Sequence, residues 1–160
     1  MKNTIDKVLS ILLAIILPFL ILMGAIRLLI TPAFISVEYN RPGFPADPFG
    51  FTQQERKQWA DYAVNYLVND ADISYLEDLK FANGDPLYRQ EELSHMQDVK
   101  NVVQTALTVW YGLLGLALAF LIWFIAMSNW RQIVKSIRIG SWLTVGLIAF
   151  IILMVAINFN

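Results

Sequence analysis

The sequence predicts an all-α membrane protein with three transmembrane helices and a small, mainly helical extracytoplasmic domain between spans 1 and 2. Three observations carry this. Hydrophobic residues make up 57% of the 160 residues and charged ones only 16%, whereas soluble domains sit near half and a quarter. The charges are segregated, leaving three apolar runs of spanning length. The stretch between the first two runs shows helical spacing and helix-start signals.

The first run covers 8–30, and 16 of its 23 residues are Val, Leu, Ile or Phe. About 20 helical residues cross a hydrocarbon core. Arg27 is its one charge, three residues from the end, and Pro18 is a candidate kink. A cleaved signal peptide would have a shorter apolar core and a small-x-small cleavage site. Thr31-Pro32-Ala33-Phe34 does not supply one, so the run reads as a retained anchor. The second and third runs, at about 105–127 and 139–157, contain no charge. Gly115 and Ala119 form a small-xxx-small pair suited to helix packing.

Arg131, Lys135 and Arg138, with no acid, lie between the second and third runs, and Lys2 and Lys7 accompany Asp6 at the start. The positive-inside rule puts both on the cytoplasmic side, with Trp130 and Trp142 in the inner aromatic belt and Trp110 and Tyr111 in the outer. The expected layout is a cytoplasmic tail at 1–7, spans at 8–30, 104–127 and 139–157, and an extracytoplasmic domain at 31–103. A cytoplasmic basic loop at 128–138 and an extracytoplasmic end at 158–160 complete it. The expected location is a multi-pass protein of the bacterial cytoplasmic membrane, N-terminus cytoplasmic.

The 31–103 segment carries 12 acids and 6 bases. Asn40-Arg41-Pro42-Gly43-Phe44-Pro45-Ala46-Asp47-Pro48-Phe49-Gly50 excludes regular helix, and Asp47 to Gly50 fits a type I turn. Phe44 and Phe49 either plug a small core or contact lipid or an acyl chain. Thr52 and Glu55 form a capping box, followed by an apolar stripe of Trp59, Ala63, Tyr66 and Leu67. Ser74 and Glu77 repeat the capping pattern before a short helix through Leu79, and Asn83-Gly84-Asp85-Pro86 marks a turn. No breaker follows, so one helix is expected from about Gln90 into the second span.

With no cysteine, disulfides, thiol nucleophiles, Cys-ligated zinc and iron–sulfur clusters are excluded. One histidine excludes a His-rich metal site within this chain, and a formal net charge of −1 gives no reason for nucleic-acid binding. No cofactor is expected. His95 is the only imidazole, the side chain whose ordinary pKa lies nearest neutrality. Glu91, Asp98 and Val102 share its helical face, so a carboxylate there can hold one ring nitrogen while the other acts as a base. A solvated histidine beside acids is the bland alternative. Arg27 either snorkels to the interface or holds a phosphate or carboxylate at headgroup level.

The Asn40 to Thr52 loop, Glu55-Arg56, Trp59, Leu87-Tyr88 and Glu92-Leu93-Ser94-His95-Met96-Gln97-Asp98-Val99-Lys100 together resemble a family of small bacterial membrane proteins. That family includes the lipoprotein intramolecular transacylases. The resemblance implies a membrane acyltransferase that moves an ester-linked acyl chain from the diacylglyceryl group of a lipoprotein to its N-terminal Cys amine, giving a lyso-form. The implied partners are membrane lipids and the diacylglyceryl-modified lipoprotein. His95 matches a histidine implicated in the acyl shift. Asp98 is the expected orienting carboxylate, and Arg41, Asn40 and Arg27 are candidate substrate contacts. The family pattern continues to a fourth span with a second functional histidine, which this sequence does not carry. An inactive, shortened member is therefore one alternative. A non-catalytic membrane interaction module using the acidic outside domain is the other.

Overall fold

The computed structural model describes residues 2–158, without the side chains of Lys2 and Asn3. The charge expected at Lys2 and the expected end beyond Asn158 fall outside that set. Among the described residues six helices form and no strand does: α1 (Lys2–Leu29), α2 (Pro32–Tyr39), α3 (Gln53–Val68), α4 (Ser74–Glu77), α5 (Gln90–Ala126) and α6 (Trp130–Asn158). Helices α1, α5 and α6 are long and apolar enough to cross a membrane. The chain divides into two compact units, residues 1–24 with 108–160, and residues 25–107.

In the first unit, Leu13, Leu20, Ala117, Phe124 and Ile133 form the buried core. Polar groups fasten it at defined points. Asp6 is buried, and its two carboxylate oxygens accept from the Trp123 indole (3.0 Å) and the Asn129 amide (2.9 Å). Ser10 and Ser136 share a buried hydroxyl–hydroxyl bond of 2.9 Å. Trp110 donates from its indole to the Leu20 carbonyl at 3.0 Å. It is half-buried against the core.

Two expectations change here. Gly115 and Ala119 are exposed, and nothing lies within 4 Å of where a Cβ on Gly115 would sit. The close helix contact falls instead at Gly140 on α6, against Leu17 and the Ala14 carbonyl of α1. Pro18 lacks the N–H that the Ala14 carbonyl would accept in a regular turn, and α6 approaches α1 at that carbonyl. The basic segment 128–138 is mostly helix. Only a tight turn at 127–129 separates α5 from α6, with Ser128 at φ 53°. Arg131, Lys135 and Arg138 recur at i, i+4 and i+7, one exposed helical face rather than a loop.

In the second unit, Tyr66, Leu76 and Leu93 are the buried centre, ringed by Tyr62, Ile73, Tyr75, Tyr88 and Met96. The α3 stripe supplies Tyr66 to this core. The Thr52–Glu55 capping box forms in full: Thr52 Oγ1 accepts the Glu55 amide, and Glu55 accepts the Thr52 amide at 2.8 Å. The Thr52 hydroxyl, which also donates to Glu55 Oε2 at 2.7 Å, and then the Thr52 amide hold the Glu55 carboxyl below its ordinary range. At α4 the expected box is replaced. Asp72 Oδ1 accepts the Ser74 amide (3.0 Å) and hydroxyl (2.5 Å), so the acid two residues upstream takes the capping role. The same bonds lower the Asp72 pKa. Helix α2 is an addition to the sequence reading: Thr31 caps it by accepting the Phe34 amide, with Pro32 in the first turn.

Lysine 100 on α5 points inward. Its ammonium lies 4.1 Å from the Tyr66 ring centroid and donates to Asn69 Oδ1 (3.1 Å) and to the Ala71 carbonyl. It joins α5 to the carboxyl end of α3.

Candidate functional site

The single histidine stands on the second turn of α5, exposed to solvent. Helix α5 starts at Gln90, where the sequence placed it, because no Gly or Pro intervenes after Pro86. His95 opens onto a groove of about 610 Å³. Glu91, Glu92 and Met96 accompany it from α5, and Trp59 from α3 forms the facing wall. Phe51, Phe81, Leu87 and Tyr88 complete the lining from the connecting segments. Phe51 and Phe81 stack with centroids 5.9 Å apart. Burial, aided by the Glu92 charge, pushes the Tyr88 hydroxyl above its ordinary pKa. The lining is thus mainly apolar and aromatic, with an imidazole and carboxylates on one edge.

The turn carrying Phe81 and Leu87 is a short loop closed on itself. Gly84 has φ 90°, a left-handed conformation that glycine adopts without strain. The Phe81 amide donates to the Asp85 backbone carbonyl and the Leu87 amide to the Leu79 backbone carbonyl, at 2.9 Å each. On the other side, the proline-rich loop is organised by Asp47 and Arg56. Asp47 Oδ2 accepts the Phe49 (2.8 Å) and Phe51 (3.2 Å) amides, which makes the turn expected there. Arg56 lies 3.6 Å from Asp47 Oδ1, donates to the Pro45 carbonyl at 2.8 Å, and stacks 4.8 Å from the Phe44 ring centroid. Phe44 is half-buried between Arg56 and the Tyr39 ring, whose centroid lies 4.5 Å away, and belongs to neither core. Phe49 is 86% exposed. Phe51, tied down through Asp47, enters the groove.

The other sequence candidates lie elsewhere. Asp98 is exposed, one turn beyond His95, and does not line the groove. No hydrogen bond or ion pair joins it to His95 among the described residues. Asn40 caps α2 and donates to the Ser36 carbonyl at 2.7 Å, beside a separate hollow that also includes Gln53 and Lys57. Arg41 pairs with Glu38 at 3.2 Å and is largely exposed. Arg27 donates to the Ile30 carbonyl at 2.9 Å, satisfying the carboxyl end of α1. The structure brings His95 together with Glu91 and Glu92, and does not bring Asp98, Asn40, Arg41 or Arg27 into that groove. Phe51, Phe81 and Leu87 escaped the sequence reading as groove residues. Their only advance signal was that aromatic residues sat next to turn-forming Gly and Pro. No group of three or more His, Asp or Glu side chains among the described residues is placed to hold a metal ion.

Comparison with known proteins follows from this geometry. The family described as lipoprotein intramolecular transacylase Lit matches residues 11–160. An uncharacterized protein of Aquifex aeolicus (strain VF5) is 27% identical over 146 residues, which is 90% of this chain and 66% of the relative. The chain therefore spans about two thirds of the length of that relative. No solved structure matches. A membrane protein whose family description covers residues 11–160, His95 groove included, is placed by that match: the chain belongs to the lipoprotein intramolecular transacylase family.

Proposed function

We propose that this chain catalyses transfer of an ester-linked acyl chain from the diacylglyceryl group of a membrane lipoprotein to that lipoprotein's N-terminal Cys amine. The observation that carries the reading is the placement of the lone imidazole on the rim of an aromatic, apolar groove. An acyl chain fits the apolar wall, and the reacting head fits the polar edge. Family membership supplies the substrate class.

In this mechanism His95 is the general base. The acceptor α-amine has an ordinary pKa of about 7.7–8.0, close enough to imidazole for proton transfer. His95 takes a proton from the amine, and the amine nitrogen bonds to the ester carbonyl carbon. The tetrahedral oxyanion collapses, the carbon–oxygen bond to glycerol breaks, and the departing alkoxide receives the proton back from His95. Donor and acceptor share one molecule, so the substrate itself supplies much of the proximity. A well-placed base contributes about 10²–10⁴-fold. Asp98, a turn along α5, orients the ring on swinging toward it, and Asn40, Arg41 and Arg27 remain candidates for headgroup contact. The site faces the outer side of the cytoplasmic membrane in this proposal, because Lys7, Arg131, Lys135 and Arg138 favour the cytoplasm.

The test is His95→Ala in the full-length gene product, with mass spectrometry of a reporter lipoprotein's N-terminal peptide. The expected result is loss of the N-acylated lyso-form while membrane insertion is normal. Undiminished lyso-form in that variant would remove His95 from the chemistry, and absence of lyso-form with the wild-type chain would favour a non-catalytic interaction module.

A further inference from the structure

The groove holds a second ionisable edge whose part in the acyl shift is unassigned. Glu91 stands one turn before His95 and lines the same hollow. Its neighbour Glu92 is committed, accepting the Arg89 amide at 2.8 Å and the Arg89 guanidinium at 2.9 Å. The Glu91 carboxylate forms no hydrogen bond or ion pair with a described residue, and Arg89 acts on it only at longer range. The walls facing it include Phe51, Trp59 and Met96. An unpartnered carboxylate over an aromatic floor, beside an imidazole, complements one chemical class: an amphiphile with a cationic amine head. An anionic head would meet two carboxylates and no free cation there.

We propose that Glu91 binds the protonated α-amine of the acceptor, so that the groove selects a free N-terminus on an acylated molecule and holds it next to His95. The inference rests on the transacylase reading and deepens it. A carboxylate–ammonium pair in open water is worth little. Once an acyl chain covers the groove and excludes water, the same pair strengthens. Glu91 holds the amine in its charged form on arrival; once the ester carbonyl is in place the ammonium gives one proton to water, and His95 takes the second as nitrogen bonds to the carbonyl carbon and returns it to the departing glycerol alkoxide.

The experiment uses the purified full chain in lipid nanodiscs and two synthetic cysteine peptides carrying ether-linked dialkylglyceryl groups, which have no acyl chain to transfer, one with a free N-terminus and one N-acetylated. Affinities are measured at about pH 7, where the free amine is still mostly charged. Wild type is expected to prefer the free amine by about tenfold. Glu91→Gln is expected to abolish the preference while its affinity for the N-acetyl peptide stays unchanged, which also reports that the groove is folded. Glu91→Asp is expected to retain part of the preference. A preference that survives in Glu91→Gln overturns the inference, as does loss of both peptides in that variant, which is the behaviour of a purely structural residue. Equal binding of the two peptides by wild type overturns the inference and leaves the acyl-transfer reading standing. Failure of wild type to bind either peptide overturns both.

Discussion

Replacing Gly140 with alanine probes the α1–α6 contact at its tightest point. A Cβ there would stand 2.6 Å from Leu17 Cδ2, 2.8 Å from Leu17 Cβ and 3.0 Å from the Ala14 carbonyl oxygen. The Leu17 methyl can swing aside. The other two atoms are fixed to the α1 backbone, so the helices themselves must part. Overpacking of this kind costs about 1–3 kcal/mol. Alanine's better helix propensity offsets about 1 kcal/mol of that. The expected net loss is about 1 kcal/mol for Gly140→Ala and about 2–3 kcal/mol for Gly140→Val, whose added methyls meet the same wall. Gly146 on the same helix is the control, since nothing lies within 4 Å of its Cβ position. Gly146→Ala should be neutral or stabilising by up to about 1 kcal/mol. Unfolding in mixed micelles, titrated with sodium dodecyl sulfate, measures the difference. Adding Leu17→Ala to Gly140→Ala removes Cδ2 but leaves Cβ and the carbonyl, so recovery should be partial. Equal midpoints for Gly140→Ala and Gly146→Ala would refute the reasoning.

Arg56→Ala removes the cation that holds Asp47, the Pro45 carbonyl and the Phe44 ring together. Chymotryptic cleavage in the proline-rich loop at Phe49 or Phe51 should rise about tenfold, matching loss of a charged hydrogen bond of about 1.5 kcal/mol. Arg56→Lys should rescue it poorly, because lysine lacks the planar fork. The pH dependence has a definite sign. Glu55 and Asp72 have folded pKa values below their ordinary 4.5 and 3.8. Their contribution is present above those ordinary values and is lost as pH falls through the lowered ones. Proteolytic resistance at the starts of α3 and α4 should therefore hold at about pH 6 and decline below about pH 4. Thr52→Ala, which removes the hydroxyl partner, should flatten that decline for α3.

The spans were legible because their signal is compositional: long runs without charge have few other readings. The continuity of α5 was legible for the opposite reason, an absence of breakers after Pro86. Thr52 and Glu55 announced α3 because both halves of a capping box are local. Asp72 shows where local pattern reading goes astray. Ser74 and Glu77 had the right spacing, but the acid at position 72 takes the Ser74 amide and hydroxyl instead. Arg131, Lys135 and Arg138 looked like a loop because charge was read by density, although their spacing already fits one helical face. Gly115 and Ala119 show that small residues mark where backbones can approach, while the partner helix decides which face is used. In the groove, His95 was visible from the sequence as the one imidazole, and Trp59 as part of the α3 apolar stripe. Phe51 and Phe81 were not, because their stacking joins positions 30 apart through two turns that no periodicity encodes.

The inward ammonium of Lys100 has a mechanical consequence for the groove. Helix α3 carries Trp59 on one wall, and α5 carries His95 and Met96 on the other. Separating the two near Lys100 strips a cation of an aromatic face, a side-chain amide and a backbone carbonyl in a single event. Widening the gap there costs all three contacts of one cation, so Lys100 resists any spreading that would admit a bulkier guest molecule.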